Sequence, residues 1–294
     1  MNAVSPCTGI CKLDDETGWC VGCARTGDEI FGWSDMAAGV HERVWGELPS
    51  RFAQLGVSCR RLPWTTEDIR RFVVERLEAA SGTWVVGVVG AVAEFAAKPK
   101  QSVAVDANVA EITAITDGGA LRFKIDDDVR ALTFDPPDTP PEQQRIVLAV
   151  KREWGFLPVA KTITDLGADN SAITQTAFNG HLFDFGLGRK EARFLVRCTT
   201  PLAQNAMANA LGEQLSHAFG NVGPVLVAES PTRVVESALG RIEVSTPIPP
   251  PGGKSPAGSH THLLPNHLAT KRALPTGMDL PRAYWPGAIF YPVV

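Results

Sequence analysis

A surplus of positive charge is missing. The chain has 28 Lys and Arg against 32 Asp and Glu, a formal net charge of −4, whereas a protein that grips duplex DNA is usually basic. Long apolar runs are missing too. The most apolar stretch, residues 84–97, is interrupted by Glu94 and falls short of the ~20 residues that a bilayer span needs. The first residues show no basic segment followed by an apolar run, so the sequence predicts no secretory leader and a cytoplasmic chain without membrane contact. Six cysteines in 294 residues are too few for a disulfide scaffold, and in a reducing cytosol clustered thiols are more often metal ligands. There is no G-x-S-x-G elbow, no H-E-x-x-H and no G-x-G-x-x-G opening a helix, which removes the familiar hydrolase, zinc-protease and dinucleotide signatures. Twenty-two prolines and 27 glycines argue against a helical bundle. What remains is a chain 44% hydrophobic and 20% charged, able to bury a core and long enough for two domains.

The expected organisation is α+β: a small module over residues 1–60 and a mixed domain over 64–294 that ends in a proline-rich C-terminal arm. In the module, Thr26 and Glu29 fit a capping box. Ser34 is expected to cap a helix that ends near Leu48, before Pro49, with Met36, Val40 and Val44 on one face. In the larger domain Thr66 is expected to cap a helix carrying Ile69, Phe72, Val73 and Leu77. Residues 83–97 fit a helix, with strand as the alternative for so valine-rich a run. Residues 140–153 also read as a helix, and 201–219 as one long helix with Pro201 in its first turn. Strands are expected at 102–107, 109–116, 120–125, 181–187, 192–199 and 241–248, with a hairpin turn at Asp117-Gly118-Gly119. The dense prolines after residue 246 forbid long helices, so an extended arm over the core is expected, closed by a strand at 288–293. Helices and strands mix without βαβ repetition, which favours α+β over a doubly wound sheet.

Four of the six cysteines fall within the first 23 residues. Cys7-x3-Cys11 and Cys20-x2-Cys23 are two close pairs eight residues apart, the arrangement that brings four thiolates to one metal. Gly9 and Gly22 stand inside the two loops, where positive φ would turn backbone N–H groups toward sulfur. The segment looks too short to build its own core, so a structural metal would supply folding energy, about 10–16 kcal/mol in zinc-finger peptides. Tetrahedral thiolates suit zinc, and an iron–sulfur cluster takes four thiolates as well. Cys59 and Cys198 stand alone and read as buried apolar side chains. Ser5, Pro6, Cys7, Cys11, Cys20, Gly22, Cys23, Arg25, Thr26, Glu29, Ile30 and Trp33 together make this stretch resemble the bacterial cysteine-rich family called domain of unknown function 1289. That family is labelled as predicted iron–sulfur proteins. The resemblance implies a metal-binding module and leans the choice of cofactor toward iron–sulfur.

Three of six histidines lie at His260, His262 and His267. On a strand His260 and His262 project to one face, so they form a candidate second metal site, with Glu243, His181 or Asp184 as further ligand candidates. The preceding Gly253-Lys254-Ser255 matches only the end of a phosphate-loop motif. Ile248 stands where the first glycine belongs and Pro256 where the helix must start, which leaves at most a looser anion site at Lys254. Phe183-Asp184-Phe185-Gly186-Leu187-Gly188, the stretch 240–265 and the closing apolar Tyr-Pro resemble a bacterial domain of about 200 residues, domain of unknown function 6925. The resemblance implies that the arm belongs to the domain, and it implies no activity.

The function expected from these residues is a metal-binding protein whose cysteine module acts in redox chemistry or in contact with an unknown protein or small-molecule partner. The alternative is a metal-dependent enzyme with a histidine-lined site in the larger domain. A nucleic-acid adaptor is disfavoured, because Asp14, Asp15, Glu16, Asp28 and Glu29 crowd the module with charge that repels phosphate.

Overall fold

Apolar residues alternate along most of the larger domain, and alternation builds sheets with one buried face. In the computed structural model, which describes residues 4–88, 91–136, 138–154, 157–158, 160–174, 180–250, 252–253, 257–262, 280–281 and 283–293, that alternation yields two antiparallel sheets. The strands are β1 (Arg60–Arg61), β2 (Thr83–Val88), β3 (Ala91–Phe95), β4 (Ala104–Ala107) and β5 (Ile112–Thr116). They continue as β6 (Gly119–Phe123), β7 (Val129–Thr133), β8 (Ile146–Lys151), β9 (Thr164–Ala168) and β10 (His181–Arg189). The last are β11 (Ala192–Cys198), β12 (Thr232–Ser237), β13 (Gly240–Val244), β14 (His260–His262) and β15 (Tyr284–Tyr291). One sheet runs β1-β7-β8-β15-β2-β3-β14 and the other β4-β5-β6-β13-β12-β11-β10-β9. Their facing sides share one core that holds Trp84, Val86, Phe123, Leu148, Phe194, Val235 and Ile242. Each such buried Val, Leu, Ile or Phe is worth about 1.5–3 kcal/mol relative to exposure.

The helices are α1 (Gly27–Phe31), α2 (Ala38–Leu55), α3 (Thr66–Glu78), α4 (Pro201–Asn209) and α5 (Leu215–Glu229). Helix α3 packs Ile69, Val73 and Leu77 into the shared core, and α4 and α5 add Ala203, Met207, Val222 and Leu226. The architecture is α+β. The α3 cap is Thr65, one residue earlier than the expected Thr66, and it forms a capping box: Thr65 accepts from the Asp68 backbone N–H at 3.1 Å, and Asp68 accepts from the Thr65 N–H at 2.9 Å.

Four expectations need correction. Within residues 83–97 the strand alternative holds and the helix does not: Thr83–Val88 and Ala91–Phe95 pair as β2 and β3, with Trp84 and Val86 in the core and Val85 buried on the opposite face. Where both faces are buried the apolar run loses its alternation, and a four-residue period appears by accident. Residues 140–153 fail as a helix for the same reason. β8 is apolar on both faces, with Leu148 in one cluster and Val147 in another, and only a 3-10 turn at Pro141–Gln143 precedes it. The single helix over 201–219 is two helices. Gly212 takes φ +82°, donates to Ile163 O at 2.9 Å, and Glu213 O accepts from the Ile163 N–H at 2.8 Å. That backbone pair breaks the helical ladder where glycine permits it. The closing strand does not lie over the core; β15 is interior to its sheet, between β8 and β2. Pro286 fits there because the register shifts between Pro286 and Ala288, a bulge where a missing N–H costs least.

In the module, α2 starts at Ala38 and continues past Pro49 to Leu55, while Ser34 falls in a short 3-10 turn at Trp33–Asp35. Proline inside a helix forfeits a hydrogen bond, and here the helix beyond it is held by buried Phe52 and by Arg51. The module does build a small core of its own, Ala24, Trp33, Val44, Leu48 and Phe52.

Candidate metal centre

The eight residues between the two cysteine pairs form a hairpin. Asp14 Oδ1 accepts from the Thr17 N–H at 2.9 Å and the Thr17 hydroxyl at 2.8 Å, and Gly18 N–H donates to Asp14 O at 2.9 Å. The returning strand bridges Leu13 to Cys20, and Val21 N–H donates to Lys12 O at 2.9 Å. The turn thereby carries the second cysteine pair back beside the first. Cys20 and Cys23 are buried, Cys7 is half-buried and Cys11 exposed.

The sulfur environments differ. Gly9, at φ +79°, donates its N–H to Cys7 Sγ at 3.3 Å, as the loop glycine was expected to do. Gly22 does not take positive φ. A Cβ there would sit 2.7 Å from Ile10 Cβ and from Thr8 Oγ1, so this glycine lets the two cysteine loops touch. The left-handed residue in the second loop is Ala24, at φ +54°, whose N–H donates to Cys20 O at 2.7 Å. The Cys20 thiol donates to Ile10 O at 2.9 Å. Arg25 Nε donates to Cys23 Sγ at 3.4 Å, and its guanidinium lies 4.6 Å from the Trp33 ring centre.

Proximity among the thiols shows in their acidity. Cys11 is pushed up from the ordinary thiol value, first by Cys7 beside it, then by burial, then by Cys20. Cys23 is pushed up by burial and, more weakly, by Cys20, against the pull of Arg25. Like neighbours disfavour thiolate formation, and a cation between them would reverse that balance. Among the described residues no group of three or more His, Cys, Asp or Glu stands arranged to hold a metal ion. The two cysteine loops are in contact, the Thr8 hydroxyl donating to Gly22 O at 2.9 Å.

Behind the cysteines, Glu29 binds Arg51 with two contacts, at 2.6 and 3.0 Å. It also accepts from the Thr26 N–H at 2.8 Å, which completes the expected capping box. Burial pushes the Glu29 carboxyl up, but Arg51 and the Thr26 N–H hold it below the usual carboxylate range. Arg51 donates on to Ala24 O at 3.2 Å, and His41 Nε2 lies 2.7 Å from Trp33 O. These contacts fix α1 and α2 against the second cysteine loop.

The remaining cysteines sit apart. Cys198 lies in the shared core and Cys59 packs on a smaller cluster. Burial pushes both thiols up to about 12. In the histidine region, His260 Nδ1 lies 2.9 Å from Gly258 O and Nε2 lies 3.6 Å from buried Glu94. Only the strand position of His262 is described, and His267 and Lys254 lie outside the described residues. The other ligand candidates are held elsewhere: His181 lies 3.5 Å from Asp165, Asp184 takes Arg193 at 2.7 Å, and Glu243 takes Arg197 at 2.9 Å.

Sequence reasoning missed a cleft of about 700 Å³ beside Cys7 and Gly9, lined also by Arg61, Arg130, Lys151, Arg152 and Tyr284. Its basic residues come from β1, β7 and the end of β8, adjacent strands whose order only the fold reveals. Burial, with Arg130 nearby, lowers the Arg61 guanidinium to about 10.

A family model described as a family of unknown function (DUF6925) matches residues 68–294, and one described as a protein of unknown function (DUF1289) matches residues 5–52. Over 40 residues, 14% of this chain, the sequence is 50% identical to the uncharacterized protein YdhL of Escherichia coli K12 and to that of Shigella flexneri. The chain spans about half the length of these curated relatives, 49%. No solved structure matches. No helix among the described residues is long and apolar enough to cross a membrane.

Proposed function

The chain belongs to the family of unknown function DUF6925 and carries a DUF1289 module ahead of it, and on that footing we propose that the module binds a metal through Cys7, Cys11, Cys20 and Cys23. The observation that carries this reading is the contact of the two cysteine loops across the hairpin, where the Cys20 thiol donates to Ile10 O at 2.9 Å and the Thr8 hydroxyl donates to Gly22 O at 2.9 Å. Four soft thiol donors suit zinc or an iron–sulfur cluster. The Gly9 N–H and Arg25 supply the hydrogen bonds that stabilise thiolate sulfur. When bound, zinc would staple the hairpin, and an iron–sulfur cluster would carry an electron. The chain's own residues hold the loops in place through Arg51, Glu29 and Trp33. We place this protein in the cytoplasm, with the module serving redox chemistry or contact with a protein or small-molecule partner. The acidic hairpin disfavours nucleic acid.

The test is the visible spectrum and elemental content of protein purified without oxygen. A charge-transfer absorption with iron and sulfide supports the cluster, and a colourless protein containing zinc supports the staple. Folded, metal-free protein overturns both. A second reading, a metal-dependent enzyme on the larger domain, has the His260–Glu94 contact behind it. Loss of bound metal from His260→Ala with the four cysteines intact would favour it.

A further inference from the structure

The cleft beside Cys7 is built from four cations that the fold holds close together and neutralises only in part. Arg61 reaches Cys7 O with Nη1 at 3.4 Å, and Arg130 reaches Val129 O with Nη1 at 2.8 Å. Arg152 lies flat against Trp285, 3.4 Å from the ring centre. The Nε atoms of Arg61, Arg130 and Arg152 are buried and have no hydrogen-bond partner among the described residues. Guanidinium groups partly buried in this way, with donors left unpaired, are costly, so a counter-charge in the cleft stabilises them. Lys151 is taken by Asp128 at 2.6 Å, and Glu153 is the one carboxylate on the lining among the described residues. Four cations against these two carboxylates leave the site with two positive charges in surplus. Its volume of about 700 Å³ matches a small-molecule site rather than a single ion.

We propose that this cleft, at the seam between the cysteine module and the larger domain, binds a small molecule bearing two or more oxyanion charges. Guanidinium forks recognise phosphate and carboxylate alike, and Ala283 and Tyr284 on the lining give its carbon frame an apolar wall. The seam is tight: a Cβ on Gly9 would come within 2.8 Å of Ala283 Cβ. A ligand seated here therefore touches both parts of the chain and lies next to a cysteine of the candidate metal centre. The inference does not depend on a metal being bound.

The test is calorimetric titration of the full chain with fructose 1,6-bisphosphate and with succinate, with fructose as the neutral control. Saturable binding of either anion, tighter than about 1 mM, is expected, and the tighter of the two tells phosphate from carboxylate. Arg130→Gln and Arg152→Gln should each weaken it about tenfold or more while leaving metal content unchanged. Binding should also weaken as salt rises. The proposal is overturned if neither anion binds, if both folded variants bind as the parent does, or if a single-stranded oligonucleotide binds more tightly and displaces the sugar phosphate.

Discussion

Cys20→Ser is expected to abolish stable metal binding. Cys20 is 1% exposed and sits between the two halves of the cluster, next to both Cys11 and Cys23. Its thiol donates to Ile10 O at 2.9 Å, and serine retains a hydroxyl for that bond, so the substitution removes the soft ligand and spares the local fold. Loss of a supporting hydrogen bond alone costs a metal site about 10–100-fold in affinity. Loss of a ligand should exceed about 100-fold, read by chelator competition. Cys198→Ser and Cys59→Ser are the controls, because both thiols pack on apolar clusters where burial disfavours the thiolate. The reading fails if Cys20→Ser holds metal as tightly as the parent, or if the Cys198 variant loses it first.

Glu243→Leu is expected to cost about 3–5 kcal/mol of stability, the range for stripping one partner from a buried ionic network. Glu243 Oε1 accepts from Arg241 Nε at 2.8 Å and the Ile173 N–H at 2.9 Å, while Oε2 accepts from Arg197 at 2.9 Å and the Thr174 hydroxyl at 3.0 Å. Asp169 completes the square by binding both arginines. All four charged side chains are 2–3% exposed. The substitution leaves two buried guanidinium groups sharing Asp169 and releases the loop that carries Ile173 and Thr174 from the sheet. Burial pushes the Glu243 carboxyl up, but Arg241 and Arg197 outweigh it and hold the pKa below its usual value. A depressed folded pKa contributes stability that is fully present above the unfolded value, about 4.3, and is lost as pH falls through the folded one. Urea denaturation should therefore show the full gap between parent and variant at neutral pH and a narrowing gap in acid. A neutral-pH difference below about 1 kcal/mol, the size of an exposed ion pair, would contradict the network's role.

What could be read from the sequence was local. The Thr26–Glu29 box depends on neighbours three residues apart, and it formed as expected. The hairpin at Gly118-Gly119 also formed, with Gly118 at φ +104°. The failures share a cause. Strands β2, β3 and β8 are buried on both faces, and burial of that kind erases the alternation that distinguishes strand from helix. Helix α4 stops because Ile163, far away in sequence, offers its backbone to Gly212 and Glu213. The cysteine pairs could be read as a cluster because their spacing is short. The basic cleft could not, because Arg61, Arg130 and Lys151 become neighbours only through strand order. Gly22 shows the same limit at one residue: it was expected to shape a turn, and its function is to let two loops meet.

The central claim is that four thiols at the front of this chain share one inorganic centre. The most direct measurement is X-ray absorption at the edge of whichever metal accompanies anaerobically purified protein. The account predicts a first shell made of sulfur alone, from the four protein thiolates for zinc and from these thiolates together with inorganic sulfide for an iron–sulfur cluster. A shell rich in nitrogen or oxygen, or a folded protein with no metal to measure, would contradict it.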